Sequence, residues 1–471
     1  MTRRGRHDGG AAPSPERHGD VVAADSEEAG VEGNTAWLLT SAALVLLMTP
    51  GLAFFYGGMV RAKSVLNMLM MCFGAMGLVG VLWMVFGYSV AYGGDIAGLL
   101  GNPVEFLGLS GLMTPEGDPT SGTVDVAFQA MFAIITTALI AGAVADRMRF
   151  GAWMLFAGLW ATLVYFPVAH WVWGDGGWID ETGALDFAGG TAVHINAGAA
   201  ALGLILVLGR RLGWPREPMK PHNLPFVMLG AGLLWFGWFG FNAGSAYAAD
   251  GVAGIAFVNT VTATCAAMLG WLLLERLRDG KATSLGAASG VVAGLVAITP
   301  ACAYVDTWGA LTIGAIAGVA CAAAVGLKYR FGFDDSLDVV GVHLVGGLVG
   351  TVLLGFVATA DVVGGDGENG LLYGGDAGLL GVQVLSAVAV LAYSGVVAVL
   401  LGLLVKTVTG GRVDAEAEAA GIDEAEHAES AYDFGGGHGG RPVTAGPAGP
   451  GGAGVPAGPV THPNTVEEAR S

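Results

Sequence analysis

Asp186-Phe187-Ala188-Gly189-Gly190-Thr191-Ala192-Val193-His194-Ile195-Asn196-Ala197-Gly198 leads into an uncharged apolar run that continues to about residue 209. An aspartate placed before a glycine pair and a helical run has the pattern of an N-cap carboxylate that accepts backbone N–H bonds. About twenty apolar residues are what a helix needs to cross a hydrocarbon core of roughly 30 Å at 1.5 Å per residue. A histidine inside such a run is costly to bury and normally faces a bundle interior or a pore. If 189–209 spans a membrane, the rest of the chain must supply comparable blocks.

Ten more are present. Apolar blocks separated by charged or Gly/Pro-rich breaks fall at roughly 36–58, 65–92, 122–145, 151–173, 224–245, 252–275, 284–303, 308–327, 338–359 and 378–405. Hydrophobic residues make up 54% of 471 and charged residues 13%, and mean hydropathy is +0.62, a balance that a water-facing surface cannot carry. The 80 glycines point to closely packed helices. The chain reads as an all-α membrane protein with eleven transmembrane helices.

The distribution of basic residues checks that odd count independently. Alternate connections carry Arg61 and Lys63; Arg147 and Arg149; Arg210, Arg211, Arg216 and Lys220; Arg276, Arg278 and Lys281; Lys328 and Arg330; Lys406 and Arg412 follow the last span. Connections 93–121, 174–188, 246–251, 304–307 and 360–377 hold no Lys or Arg. The positive-inside rule then puts the C-terminus in the cytoplasm and the N-terminus outside a cell membrane crossed many times. Arg3, Arg4, Arg6 and Arg17 are discordant but stand far from the first span.

Net charge is −18, yet seven of the 39 acids precede position 35 and ten follow position 412. The excess belongs largely to tails, and nucleic acid is excluded as a partner. The expected organisation is a disordered external tail at 1–34, a membrane domain at 35–408, a cytoplasmic tail at 409–434 and a disordered Gly/Pro/Ala-rich tail at 435–471. Cys72, Cys265, Cys302 and Cys321 have no CxxC spacing, so neither a zinc site nor a disulfide framework is expected. Residues 1–34 hold no apolar run, so the first helix is expected to act as the insertion signal.

Helices one to five and six to ten can form two units of opposite topology, with helix eleven added. Such inverted repeats build a central pathway between halves. His194 in the fifth helix and His343 in the tenth occupy matching places. His170, near the outer end of the fourth, reads better as a structural histidine bonded to a neighbouring carbonyl. Phe128, Phe132, Trp171, Trp173, Trp235, Trp238, Phe239 and Phe241 cluster at helix ends, where an interfacial belt is the plain reading. An aromatic cage beside a hydroxyl such as Ser245 could equally hold a small cation, at roughly 0.5–2 kcal/mol per ring. No HExxH or GxSxG motif lies in the spans, no metal or cofactor is expected, and an enzyme is the weakest reading.

The 186–198 segment resembles the signature of the Amt/Mep/Rh ammonium transporter family. So do Phe54-Phe55-Tyr56-Gly57-Gly58, Ala145-Asp146-Arg147-Met148-Arg149, Trp238-Phe239-Gly240-Phe241-Asn242-Ala243-Gly244-Ser245 and Asp338-Val339-Val340-Gly341-Val342-His343. The resemblance runs from about 35 to about 432. It implies an external site for ammonium made by Phe132, Trp173 and Ser245 with Phe128 and Tyr56 nearby, and a gate of Phe132 and Phe241. It also implies a pore lined by His194, His343 and Trp238, with Asp186 as a supporting carboxylate. Trp173 and Ser245 fit the Amt branch better than the Rhesus branch. One extra residue between Trp173 and Asp186 departs from the bacterial pattern. Gly411-Arg412-Val413, Glu416, Glu418, Gly421-Ile422-Asp423, His427, Glu429 and Ala431-Tyr432 resemble the family's cytoplasmic regulatory tail. A homotrimer, a PII-type partner at that tail and a place in nitrogen metabolism follow by the same resemblance. A sensor of ammonium signalling through the tail is the alternative to a transporter.

Overall fold

The computed structural model describes residues 16–114, 122–362 and 367–432, with side chains from residue 31 onward. Its long helices follow the apolar blocks: α1 (Glu16–Met59), α2 (Val65–Tyr92), α3 (Thr123–Val144), α4 (Phe150–Trp173), α5 (Gly190–Leu208) and α6 (Leu224–Gly244). They continue with α7 (Gly251–Asp279), α8 (Ser284–Ile298), α9 (Thr307–Phe331), α10 (Val340–Val357) and α11 (Ala377–Thr409). Ten of these are long and apolar enough to cross a membrane, so the chain is a multi-pass membrane protein.

α8 differs from its expected extent of 284–303. Its regular helix has 15 residues, and the chain goes on in tight turns closed by Ala301 N to Ile298 O at 2.9 Å and Tyr304 N to Ala301 O at 2.9 Å. Pro300 lacks the N–H that would continue the helical ladder. At the other extreme, α1 begins at Glu16, well before the expected boundary at 35. Residues 22–33 are rich in Ala and Glu, good helix formers that lengthen α1 ahead of its apolar span. The rest of the expected external tail, 1–15, and the low-complexity tail, 435–471, lie outside the described residues.

Glycine sets how closely the helices approach. On α6, Gly230, Gly237, Gly240 and Gly244 share one face, and it lies against α1. A Cβ on Gly240 would stand 2.6 Å from Leu44 Cβ and 2.7 Å from Ser41 O, so only hydrogen fits. The α5 and α10 helices meet the same way: a Cβ on Gly198 would lie 2.5 Å from Leu344 N, and one on Gly347 3.0 Å from Gly190 O. In lipid, where apolar burial drives association weakly, such contacts carry the packing.

Beyond α11 the tail turns back onto the membrane domain through α12 (Ala415–Ala420) and α13 (Ile422–His427). Its carboxylates sit on helix N-termini: Asp423 accepts from Leu66 N (3.0 Å) and Asn67 N (2.8 Å) on α2, and Glu426 from Phe150 N (2.9 Å) on α4. Unpaired N–H groups and the positive end of the helix dipole favour an anion at those places. Glu418 is buried, pairs with Arg412 at 2.6 Å and accepts from Leu212 N at 2.6 Å. Burial holds the Asp423 carboxyl above its ordinary pKa despite those backbone donors.

Candidate functional site

The two central helices start alike. α5 and α10 each open on a π-helical turn, Gly190–Ile195 and Val340–Leu344, and each turn carries the histidine of its half. Such turns recur at functional sites because they re-aim side chains. Asp186 Oδ1 accepts from Gly189 N (3.0 Å) and Gly190 N (2.6 Å), and its Oδ2 from Thr191 N (2.9 Å) and Ala192 N (3.0 Å). Asp335 does the same for α10, taking Val339 N at 3.1 Å and Val340 N at 2.8 Å. In each case the third residue after the aspartate has a positive φ, Gly189 at 111° and Asp338 at 63°, and the eighth is the histidine. Asp338 bears a Cβ in this left-handed region, and Lys328 Nζ holds its carboxylate at 2.6 Å.

Asp335 was not singled out from sequence. The signal was there in the eight-residue spacing to His343, hidden in an acid-rich stretch that reads as a solvated loop. Burial, with Asp338 adding to it, pushes the Asp335 carboxyl up to about 6. Burial raises the Asp186 carboxyl as well, against four N–H donors that favour its charged form.

The close crossing of α5 and α10 brings the two imidazoles together. Nδ1 of His343 lies 3.3 Å from Nδ1 of His194, with ring centroids 5.4 Å apart and planes at 27°. Both rings are buried. One Nδ1 must donate and the other accept, so the pair shares a proton; when both rings are neutral, the two outer nitrogens differ, one an N–H and the other a lone pair. His194 Nε2 has no hydrogen-bond partner among the described residues. The pair lines a narrow cavity of about 10 Å³ whose other walls are apolar, Leu52, Phe55, Ile135, Val193, Phe241 and Val292 among them. That is room for roughly one water-sized molecule. Trp238 covers His194 with ring centroids 5.4 Å apart and sends its own N–H to Thr299 Oγ1 at 2.9 Å.

Phe132 and Phe241 stack at 4.2 Å and 26°, and Phe241 lies 6.1 Å from the His194 ring. A wider cavity of about 640 Å³ is bordered by Phe132, Trp173 and Ser245. Trp173 meets Phe132 edge-on at 6.1 Å and donates to Asp186 O at 2.9 Å, which ties the aromatic wall to the α5 start. Ser245 Oγ donates to Phe241 O at 2.9 Å. Phe128 is buried behind Phe132, 5.0 Å away, and does not border the cavity. Tyr56 is not in this group, contrary to expectation. It stands near the C-terminal end of α1, donates to Leu139 O at 3.1 Å and lies against Gly142, whereas Phe128 lies near the start of α3 beside Ser41 and Gly244. About fifteen helical residues, roughly 22 Å, separate Ser41 from Tyr56. His170 has the structural surroundings read for it, with Nδ1 2.9 Å from Ala91 O and Nε2 3.0 Å from Asp95.

The whole arrangement is a wide cavity with an aromatic wall, a phenylalanine stack and a small, mostly apolar cavity with two imidazoles. Its smaller cavity offers hydrogen bonds to a small donor or acceptor but, among the described residues, no cage of oxygens to replace the water of a bare ion.

Residues 36–432 match the Ammonium Transporter Family profile. The chain is 62% identical over 431 residues to an ammonium transporter of Mycobacterium tuberculosis, covering 85% of this chain and 90% of that one. The crystal structure of Saccharomyces cerevisiae Mep2 superposes with a TM-score of 0.75 at 34% identity, covering 82% and 88%. A structure described as a sensor Amt protein gives 0.79 at 27%, covering 85% and 100%. With the profile matched across nearly the whole membrane domain, and relatives this similar over most of their length, the chain belongs to the ammonium transporter family.

Proposed function

We propose that this protein conducts ammonium across the cell membrane, taking it up at the vestibule bordered by Phe132, Trp173 and Ser245 and passing it by the Phe132–Phe241 stack to His194 and His343. The observation that carries this reading is the pair of hydrogen-bonded imidazoles, 3.3 Å apart, inside an otherwise apolar cavity. Ammonium can donate hydrogen bonds and surrender a proton at the gate, whereas potassium can do neither. A dry passage of this kind favours the first by the cost of stripping water from the second. Aromatic rings at the mouth hold the cation before that step, by cation–π attraction of roughly 0.5–2 kcal/mol each.

The test is current in proteoliposomes after ammonium and potassium pulses. His194→Ala and His343→Ala each remove one partner of a single hydrogen bond, about 1 kcal/mol, and should fold. Their ammonium current or their exclusion of potassium should change sharply. Wild-type behaviour in both variants refutes the mechanism.

We place the N-terminus outside, the C-terminus in the cytoplasm and the protein in a homotrimer; reporters after Thr409 and before Asn34 should read opposite sides. The docked tail supports regulation from the cytoplasm by a PII-type protein, because carboxylates on the α2 and α4 N-termini couple the tail to the membrane helices. The same docking favours, as a second reading, an ammonium sensor signalling through the tail. Saturable methylammonium uptake by cells making this protein alone separates transporter from sensor.

A further inference from the structure

One wall of the vestibule carries a carboxylate that this mechanism does not use. Asp125 stands in the first turn of α3 and is only 5% exposed. Its Oδ2 accepts from the Tyr88 hydroxyl at 2.8 Å and its Oδ1 from the Tyr247 hydroxyl at 2.6 Å. Tyr247 reaches it from a backbone with φ of 58°, a conformation that a side-chain-bearing residue holds only under constraint. Among the described residues no cation pairs with Asp125.

Gln129, one turn further along α3, completes the group. Its Nε2 donates to the Tyr247 oxygen at 2.6 Å. Because Tyr247 spends its own proton on Asp125, that amide orientation is forced, and Gln129 Oε1 is left as an acceptor. Gln129 is 7% exposed, and this oxygen has no partner among the described residues. Tyr92 borders the same cavity, and its buried hydroxyl is likewise unpartnered among the described residues. Each Asp125 oxygen has used one of its two lone pairs.

We propose that Asp125, Gln129 and Tyr92 form a second cation subsite in the outer vestibule, and that it takes ammonium or a small alkylammonium. The class follows from the chemistry: one negative charge, carboxylate and amide oxygens with free lone pairs, and nearby tyrosine rings suit a compact monovalent cation with several N–H donors. Asp125, Gln129 and Phe132 lie on one face of α3. The seven residues from Asp125 to Phe132 rise about 10 Å, so the subsite precedes the aromatic gate on the way in. It raises the local concentration of cation for the Phe132–Trp173–Ser245 cluster. This rests on the transport reading above.

The test is ammonium-evoked current against concentration in proteoliposomes, at low and high concentrations of an impermeant salt. Asp125→Asn should raise the half-saturating concentration about tenfold, the scale of one lost charge contact at intermediate dielectric. It should also flatten the dependence of half-saturation on salt, which screens charge but not a purely structural role. Asp125→Glu should recover most of the shift, and Gln129→Met, which removes a neutral acceptor, should raise half-saturation about threefold. Half-saturation within about twofold of wild type in both Asp125→Asn and Gln129→Met overturns the subsite. If Asp125→Asn does not fold, Gln129→Met decides by the same criterion. An absence of ammonium current in wild-type protein is the distinct outcome that overturns the transport reading.

Discussion

Replacing Asp186 by asparagine tests whether the carboxylate at the start of α5 organises that helix. Each Asp186 oxygen accepts two backbone N–H groups, at 2.6–3.0 Å. An asparagine can keep one oxygen in place but must point its NH₂ at the other two donors. Two charge-assisted bonds of roughly 1.5–3 kcal/mol each are lost, so the variant should be destabilised by about 3–6 kcal/mol. Asp335 provides the internal control, because each of its oxygens accepts only one N–H, from Val339 and Val340. Asp335→Asn should cost about half as much, roughly 1.5–3 kcal/mol. Thermal unfolding in detergent at pH 8, followed by tryptophan fluorescence, ranks the two against wild type. A midpoint loss for Asp186→Asn equal to or smaller than that for Asp335→Asn refutes the reasoning, since donor count would then not set the cost.

The glycine face of α6 makes a steric prediction: Gly240→Val should abolish the folded protein, read as loss of the monodisperse size-exclusion peak, because even a Cβ would stand 2.6 Å from Leu44 Cβ. The pH dependence follows from Asp335, whose pKa of about 6 stands above the ordinary value of 3.8. The folded state holds the extra proton between those values, so this contribution is complete below about pH 4 and is lost as pH rises through 6, by up to roughly 3 kcal/mol. The difference in melting midpoint between wild type and Asp335→Asn should therefore change across that window and be flat above it; a constant difference from pH 4 to 8 counts against the buried, proton-holding carboxyl. Asp423→Ala removes the acceptor for Leu66 N and Asn67 N and should free the tail, seen as faster limited proteolysis after Thr409 with little change in the melting of the membrane helices. Unchanged cleavage rates would mean that Glu418 and Glu426 hold the tail without it.

The helical architecture was legible because lipid imposes a rule that a linear string obeys: backbone groups must be satisfied within each span, so a span needs its quota of consecutive apolar residues. That is why eleven apolar blocks could be marked out from composition and length alone, ten of which form helices long enough to cross, and why the acid before Gly189-Gly190 could be read as a cap. The deviations occurred where a local feature overrides composition. Pro300 ends α8 early, and good helix formers carry α1 back to Glu16.

The sequence by itself therefore determined the fold class, the helix-by-helix layout, the family likeness and the identity of the two histidines. Only the tertiary structure decided which side chains meet. His194 and His343 are 149 residues apart, and they touch because glycines let α5 and α10 cross closely. Tyr56 looked like a neighbour of Phe128 but stands near the other end of α3, since the position of a residue along a span, not its motif, sets its depth. The Asp125–Tyr247–Gln129 group joins two segments more than a hundred residues apart, and its unpartnered oxygen follows from a hydrogen-bond chain that exists only once they are packed. Periodicity and hydropathy report how each residue faces its own helix's surroundings. Contacts between distant segments depend on helix crossings and on the direction of individual polar groups, and neither is written in any single stretch of chain.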